Sequence, residues 1–425
     1  MSTTPRASGY TTSIVIIGAL FFIFGFVTWL NGTLIPFLKL ACDLQTDAQA
    51  LLVTFAFYMA YFFLAIPSSM ILEKTGFKNG MSLGLAVMAA GALLFIPAAL
   101  NRTFLLFLTG LFVQGMGLSL LQTASNPYIS VIGPLESAAS RISIMGICNK
   151  VAGALSPWIL GAIVLEGASE IEHKIQTAAD PAQRIQWLEE LSHRVILPYG
   201  IMAAVLFLLA IMIRYSSLPE INTDGGEEKS IASGKTSILQ FPHTLLGALC
   251  IFVYVGVEVM AGDVISIYGK SIGISLDDAK NFTSYTLWSM VVGYILGILT
   301  IPKYITQEKA LALSAVVGMI FSALAFVTDG YTSIVFIALL GFANALMWPA
   351  IFPLAIDGLG PFTKIGSALL IMGIAGGALI PQVYAQLSVS MGPPSAFFWI
   401  VLPCYLYILF YALKGHRVGR SMPAH

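Results

Sequence analysis

Apolar residues run along the chain in about twelve long stretches, with short polar interruptions between them. They lie near 13–38, 48–72, 80–100, 103–132, 141–165, 194–214, 242–269, 282–302, 309–327, 331–358, 365–391 and 395–414. Each is long enough for a spanning helix, which needs roughly 20 apolar residues. Gly and Pro recur inside them, as spanning helices tolerate. The first stretch outruns the apolar core of a cleaved signal peptide, about 7–15 residues, and no small-residue cleavage site follows it. Two segments break the pattern. Residues 216–240 are polar and Gly- and Ser-containing and read as a flexible linker. Residues 167–192 carry Ile171, Ile175, Ile185 and Leu188 among charges, which predicts one or two short amphipathic helices in an outside loop. The expected fold is an all-α membrane protein of 12 transmembrane helices. Its divisions are residues 1–215, the linker 216–240, and residues 241–425.

Composition sharpens this. Of 425 residues, 57% are hydrophobic and only 10% charged, where a soluble domain carries about 25% charged residues. That is too few to coat a globule in water. Disorder is excluded, since it needs low hydrophobicity and high net charge. With Lys+Arg 21 against Asp+Glu 21, a nucleic-acid partner is not expected. The partners are a lipid bilayer and a small molecule, and the chain is expected to act as a monomer.

Placing the basic residues fixes an orientation. With the N-terminus inside and twelve crossings, 13 of them fall on one side: Arg6, Lys74, Lys78, Arg141, Arg214, Lys229, Lys235, Lys303, Lys309, Lys364, Lys414, Arg417 and Arg420. Seven fall on the other: Lys39, Arg102, Lys174, Arg184, Arg194, Lys270 and Lys280; Lys150 stays inside the membrane. The positive-inside rule then puts both termini in the cytoplasm. Cys42, Cys148, Cys250 and Cys404 are isolated, so no CxxC pair exists. There is no P-loop, HExxH or GxSxG string. No metal, no cofactor and no enzymatic activity are expected.

The halves echo each other. Gly133-Pro134 followed by Ile144-Met145-Gly146-Ile147 is matched, at an offset of 227, by Gly360-Pro361 followed by Ile371-Met372-Gly373-Ile374. Gly153-Ala154-Leu155-Ser156-Pro157 answers Gly377-Ala378-Leu379-Ile380-Pro381, three residues out of step. A Pro precedes the turn in each half, at Pro127 and Pro353. Two parallel six-helix repeats resemble the architecture of the major facilitator superfamily, in which substrate sits at mid-membrane between pseudo-symmetric bundles. The string from Ser69 to Lys78 (SMILEKTGFK) is similar to that superfamily's charged cytoplasmic motif, with Ser, Glu and Lys in place of Gly, Asp and Arg.

Polar groups in lipid need a partner or a watery cavity. Span one holds Thr28, Trp29 and Asn31; span four Gln114, Gln122 and Asn126; span five Asn149 and Lys150; span seven Tyr254, Glu258 and Asp263; span ten Asn344 and Trp348. Gln122 and Asn126 share a helical face. Amides, a carboxylate and tryptophans suit a sugar, whose hydroxyls need donors and acceptors and whose C–H face packs on a ring. Lys150 and Glu258 are the costliest residues, each about 2.5–3.5 kcal/mol on insertion scales, and are the candidate coupling pair. Asp263, five residues nearer the outside, reads equally as part of a water-exposed mouth.

Several strings extend the resemblance over nearly the whole chain: FGFVTWLNGTLIPFLK, LLQTASNPYISVIGP, YVGVEV and WPAIFPLAIDGLGPFTKIGSALLIMGIAGGALIP. They are similar to the fucose/glucose–galactose branch of that superfamily, bacterial inner-membrane permeases that import sugars with a cation. A related subgroup takes N-acetylglucosamine, and Asn149-Lys150 is similar to it. The resemblance also marks departures. The fucose symporter has an Asp where Gly32 stands and a Glu where Gln122 stands, and those carboxylates carry its coupling. The resemblance implies hexose import by symport with Na+ or H+, uniport being the alternative. Asn31, Gln122, Asn126, Asn149, Lys150, Glu258, Asn344, Trp348 and Trp29 are the expected substrate contacts, with Glu258 and Lys150 coupling. A multidrug exporter of the same fold and a transporter-like sugar sensor are the competing readings.

Overall fold

The computed structural model describes residues 7–131, 138–216, 218, 236–301 and 303–419. Most of the expected linker 216–240 lies outside them. The first half is built from α1 (Ala7–Trp29), α2 (Asn31–Ala41), α3 (Asp47–Ala50), α4 (Leu52–Leu93), α5 (Phe95–Leu100), α6 (Phe104–Val131), α7 (Ala138–Val164), α8 (Ala168–Thr177), α9 (Pro181–His193) and α10 (Ile196–Tyr215). The second half comprises α11 (Pro242–Gly262), α12 (Ile265–Ser271), α13 (Leu276–Ala279), α14 (Phe282–Thr300), α15 (Gln307–Val327), α16 (Gly330–Asn344), α17 (Met347–Ile356), α18 (Thr363–Met372), α19 (Gly376–Met391) and α20 (Pro393–Leu413). Among the described residues there is no strand.

Among the described residues, eleven helical runs are long and apolar enough to cross a membrane. One of them, Asp47–Leu100, has 54 residues. At about 1.5 Å per residue it is far longer than the roughly 30 Å hydrocarbon layer. Counted as two crossings, it brings the total to the expected twelve. The second and third spans are thus two helices joined by a sharp turn, in the interval between the apolar stretches 48–72 and 80–100. Their bend is at Gly76, whose φ of 76° and ψ of 169° only glycine adopts readily. Lys78, in the charged string at this bend, donates to the Ser216 carbonyl at 3.3 Å and so ties α4 to the end of α10. The segment 167–192 holds two short helices, α8 and α9, as its amphipathic pattern predicts.

Several crossings are broken, and prolines account for part of this. Pro349 has no N–H to give the carbonyl four residues back, and the tenth crossing breaks there, between α16 and α17. Pro353 likewise frees the Pro349 carbonyl, which accepts instead from Gln307 Nε2 at 2.8 Å. The first crossing breaks at Leu30, between α1 and α2, and the seventh at Asp263–Val264, between α11 and α12.

Packing repeats with a shift of six crossings. In the first half α1 packs on α7, α4 on α6 and α10 on α4; in the second, α11 packs on α19, α14 on α16 and α20 on α15. This is the pseudo-symmetry of two six-helix bundles. The halves meet where α7 lies on α14, where α4 lies on α18 and α19, and where α2 touches α12. At the loop end that follows the odd crossings they are tied together. Lys270 pairs with Glu172, Lys280 Nζ donates to the Leu165 carbonyl at 3.2 Å, and Gln382 Nε2 donates to the Ala48 carbonyl at 3.3 Å.

Candidate functional site

The site lies where the first, fifth and seventh crossings converge between the halves. Lys150 projects from α7 and Glu258 from α11; both are nearly buried, at 7% and 9% exposure. Lys150 Nζ donates to Glu258 Oε1 at 2.9 Å, across 108 residues of sequence. The same ammonium stands 4.4 Å from the ring centroid of Trp29 on α1. A cation over an indole is worth up to about 2 kcal/mol when desolvated, so the ring supplements the carboxylate. Two glycines make room for that ring. A Cβ on Gly153 of α7 or on Gly262 of α11 would run into the Trp29 indole. The Trp29 Nε1–H is buried without a hydrogen bond.

The remaining polar residues form branches around this centre. The hydroxyl of Tyr254 lies beside the Glu258 carboxylate, and its ring tilts against Trp348 at 6.4 Å. Trp348 itself stacks on Phe352 at 5.7 Å. Asn344 Oδ1 accepts from the Tyr405 hydroxyl at 2.9 Å, which leaves its amide nitrogen unpaired. Asn149 Nδ2 donates to the Phe21 carbonyl at 3.4 Å. Asn31, next to the break in the first crossing, is buried with neither side-chain atom bonded. Gln122 Nε2 donates to the Tyr61 hydroxyl at 2.8 Å. The side chain of Asn126 lies outside the described residues.

The structure thus joins Lys150, Glu258 and Trp29 directly and reaches Trp348 through Tyr254. Gln122 and Asn344 are each held by a tyrosine of their own half. An amide held in this way presents its free atoms in a fixed direction. Tyr61→Phe should leave the buried Gln122 amide short of a partner, which costs about 1–3 kcal/mol. A lowered melting temperature in detergent is the expected result; an unchanged one would show that water replaces the phenol.

Of the two readings open for Asp263, the structure supports the buried one. Asp263 is not at a wet mouth: its exposure is 0%. Its Oδ2 accepts from the Tyr58 hydroxyl of α4 at 3.1 Å, and the Gly32 backbone N–H lies beside the carboxylate. Its backbone N–H still bonds the Val259 carbonyl at 2.8 Å, so residue 263 continues the helical path into the seam between halves. Tyr58 and Tyr61, stacked at 6.5 Å, were also hidden in the sequence, inside the apolar run of the second span. Their spacing of three, one face of a helix, is the signal they offered. Gly32 has no space for a side chain, because Thr283 fills it. Thr283 is fixed by donating to the Gly262 carbonyl at 2.7 Å.

Two pseudo-symmetric helical bundles with polar groups buried at their seam form the architecture of a membrane transporter. The chain belongs to the Major Facilitator Superfamily, whose pattern matches residues 17–381. A glucose/galactose transporter of Brucella abortus biovar 1 is 34% identical over 418 residues, covering 97% of this chain and 96% of the relative. A putative glucose/galactose transporter of Helicobacter pylori is 32% identical over 404 residues, covering 94% and 95%. The L-fucose-proton symporter of Escherichia coli is 28% identical over 415 residues, covering 96% and 94%. Among solved structures, the superfamily transporter FucP in the outward conformation matches with a TM-score of 0.73 at 28% identity, over 95% of this chain and 98% of that one.

Proposed function

We propose that the chain imports a hexose of the glucose/galactose type by cation symport with alternating access. The observation that carries this is the 34% identity, over 97% of the chain, to a glucose/galactose transporter. The chemistry of the seam supports it. Amides, tyrosine hydroxyls and an acid can bond sugar hydroxyls, and Trp29 and Trp348 offer rings to a C–H face. In this reading Asn31, Gln122, Asn126, Asn149, Lys150, Glu258 and Asn344 contact the sugar, with the two tryptophans.

Lys150 and Glu258 form the coupling pair. Because they belong to opposite halves, rocking of the halves pulls them apart. Joined, they are net neutral and suit the return of the empty carrier. Separated, each needs another partner, and the hydroxyls of the sugar supply it. The halves are residues 1–215 and 241–425, joined by the linker 216–240. The protein acts as a monomer in a bacterial inner membrane, with both termini in the cytoplasm. N-acetylglucosamine is the second candidate, favoured by the Asn149-Lys150 pair beside the site, since an acetamido group would use the amide.

Uptake of radiolabelled glucose, galactose, fucose and N-acetylglucosamine into proteoliposomes tests this, with sodium and proton gradients imposed separately. We expect accumulation of a hexose under one gradient only. Binding without flux would make the protein a sensor, and efflux of apolar drugs without sugar uptake would make it an exporter; either result overturns the proposal.

A further inference from the structure

The buried charges at the seam do not balance. Lys150 and Glu258 cancel each other, and Arg141 sits apart in the first turn of α7. Asp263 is a third charge, wholly buried. Its Oδ1 has no hydrogen-bond partner among the described residues. An ionised carboxylate held in this way is expensive, because the desolvation of one oxygen is not offset. A cation offsets this cost, and a proton is the one that needs the fewest partners. Two donors address the carboxylate, the Tyr58 O–H and the Gly32 N–H. A sodium ion would require several acceptor oxygens around it, whereas a proton requires only the carboxylate.

We propose that Asp263 is the proton-binding site of the transport cycle, opened and closed by its bond to Tyr58. The proposal rests on the reading of the chain as a symporter and deepens it by naming the ion and the atom that takes it. Asp263 belongs to the second half and Tyr58 to the first, 205 residues away. The bond therefore spans the seam, near the outer ties made by Lys270 and Lys280. When the halves part at that end, the bond breaks and water reaches the carboxylate, which binds one proton to become the neutral acid. Closure buries it in that form; the structure shows the carboxyl wholly buried and bonded to Tyr58. Release follows on the opposite opening, when inner water reaches the break between α11 and α12. The titratable and charged groups that face Asp263 are Tyr58 from α4, Lys150 from α7 and Glu258 from its own helix. Lys150 and Glu258 oppose each other there, so the proton on Asp263 is not dictated by either.

The test has two arms. The first is infrared difference spectroscopy of the purified full chain between acid and alkaline pH. A protonated-carboxyl band should be present, should vanish in Asp263→Asn, and should move in Tyr58→Phe. This arm does not depend on which sugar is carried. The second is sugar accumulation in proteoliposomes. A pH gradient of about one unit, with one proton per sugar, supports up to about tenfold accumulation. Asp263→Asn should hold the ratio near about one while still exchanging labelled for unlabelled sugar, and Asp263→Glu should restore part of the accumulation. A band that survives Asp263→Asn overturns the proposal, as does accumulation driven by sodium alone. So does a mutant that loses exchange along with accumulation and is not rescued by Glu. A wild-type band that behaves as expected, without uptake of any sugar, would refute the proposed substrate and leave the proton site standing.

Discussion

Lys150→Ala and Glu258→Gln should each abolish uphill sugar uptake. In Lys150→Ala the carboxylate of Glu258 stays in the seam with its 2.9 Å partner gone. Breaking a buried pair from one side costs about 3–5 kcal/mol, because the remaining charge is uncompensated. The Trp29 contact, at up to about 2 kcal/mol, cannot make up for this, since it was made by the lysine and disappears with it. Glu258→Gln leaves Lys150 above the indole with an amide oxygen to bond, so its structural effect should be the smaller of the two. Its effect on uptake should be as large, because the neutral amide no longer offers the charge that the cycle uses. The double variant Lys150→Met with Glu258→Leu separates stability from function. Replacing both members of a buried pair with apolar groups is often neutral or stabilising, so this protein should melt at or above the wild-type temperature and yet transport nothing. Melting in detergent and uptake in vesicles read the two effects independently. If both single variants accumulate sugar normally, the pair is not the coupling element.

That pair was legible in the sequence for a simple reason. A charge in a span must find a partner, and only one lysine and few acids lie away from the ends of the apolar stretches. The crossings were legible too, because twelve apolar stretches leave lipid as the only solvent that suits them. What the pattern could not reveal depends on direction. Tyr58 and Tyr61 lie in a run of aromatic and aliphatic residues, FAFYMAYFF, where hydropathy does not distinguish a lipid-facing side from one at the seam. Asp263 lies inside the seventh apolar stretch, 242–269, but its sequence position did not separate a buried site from a wet mouth. Only the fold shows that the chain breaks there and continues as α12 inside the protein. The resemblance to permeases with an Asp at the Gly32 position drew attention to a missing acid. The structure shows that a side chain at 32 has no room, and that the acid beside its backbone comes from the other half, at Asp263. No local rule links residues 58 and 263.

Close approach of backbones is the other feature that sequence spacing conceals, and it leads to the second large effect. Gly18 and Gly25 lie seven apart on α1, on the face turned to α7. A Cβ on Gly18 would meet Met145 Cε at 3.7 Å, an ordinary contact with the end of a flexible side chain. A Cβ on Gly25 would fall on the backbone of Asn149, with its carbonyl carbon and Cα both 2.7 Å away. The backbone cannot move aside as a methionine can, so the two helices must separate. Packing of this kind, small residue against backbone, is how helices associate in lipid, where no hydrophobic force drives them together. Gly18→Ala should therefore stay within about 0.5 kcal/mol of wild type. Gly25→Ala should lose about 1–3 kcal/mol, and Gly25→Leu should yield little folded protein. The displacement is also functional, because Asn149 precedes Lys150. Pushing α7 outward carries the ammonium away from Glu258 and Trp29 together, so residual Gly25→Ala protein should bind its sugar weakly even where it is folded. The second half has a counterpart: a Cβ on Gly376 of α19 would strike the Phe252 backbone of α11. Gly376→Ala should destabilise to a similar degree, although Lys150 is untouched. Melting curves for the three alanine variants check the ranking. Equal melting temperatures for Gly18→Ala and Gly25→Ala would mean that the contact between α1 and α7 is looser than the structure shows.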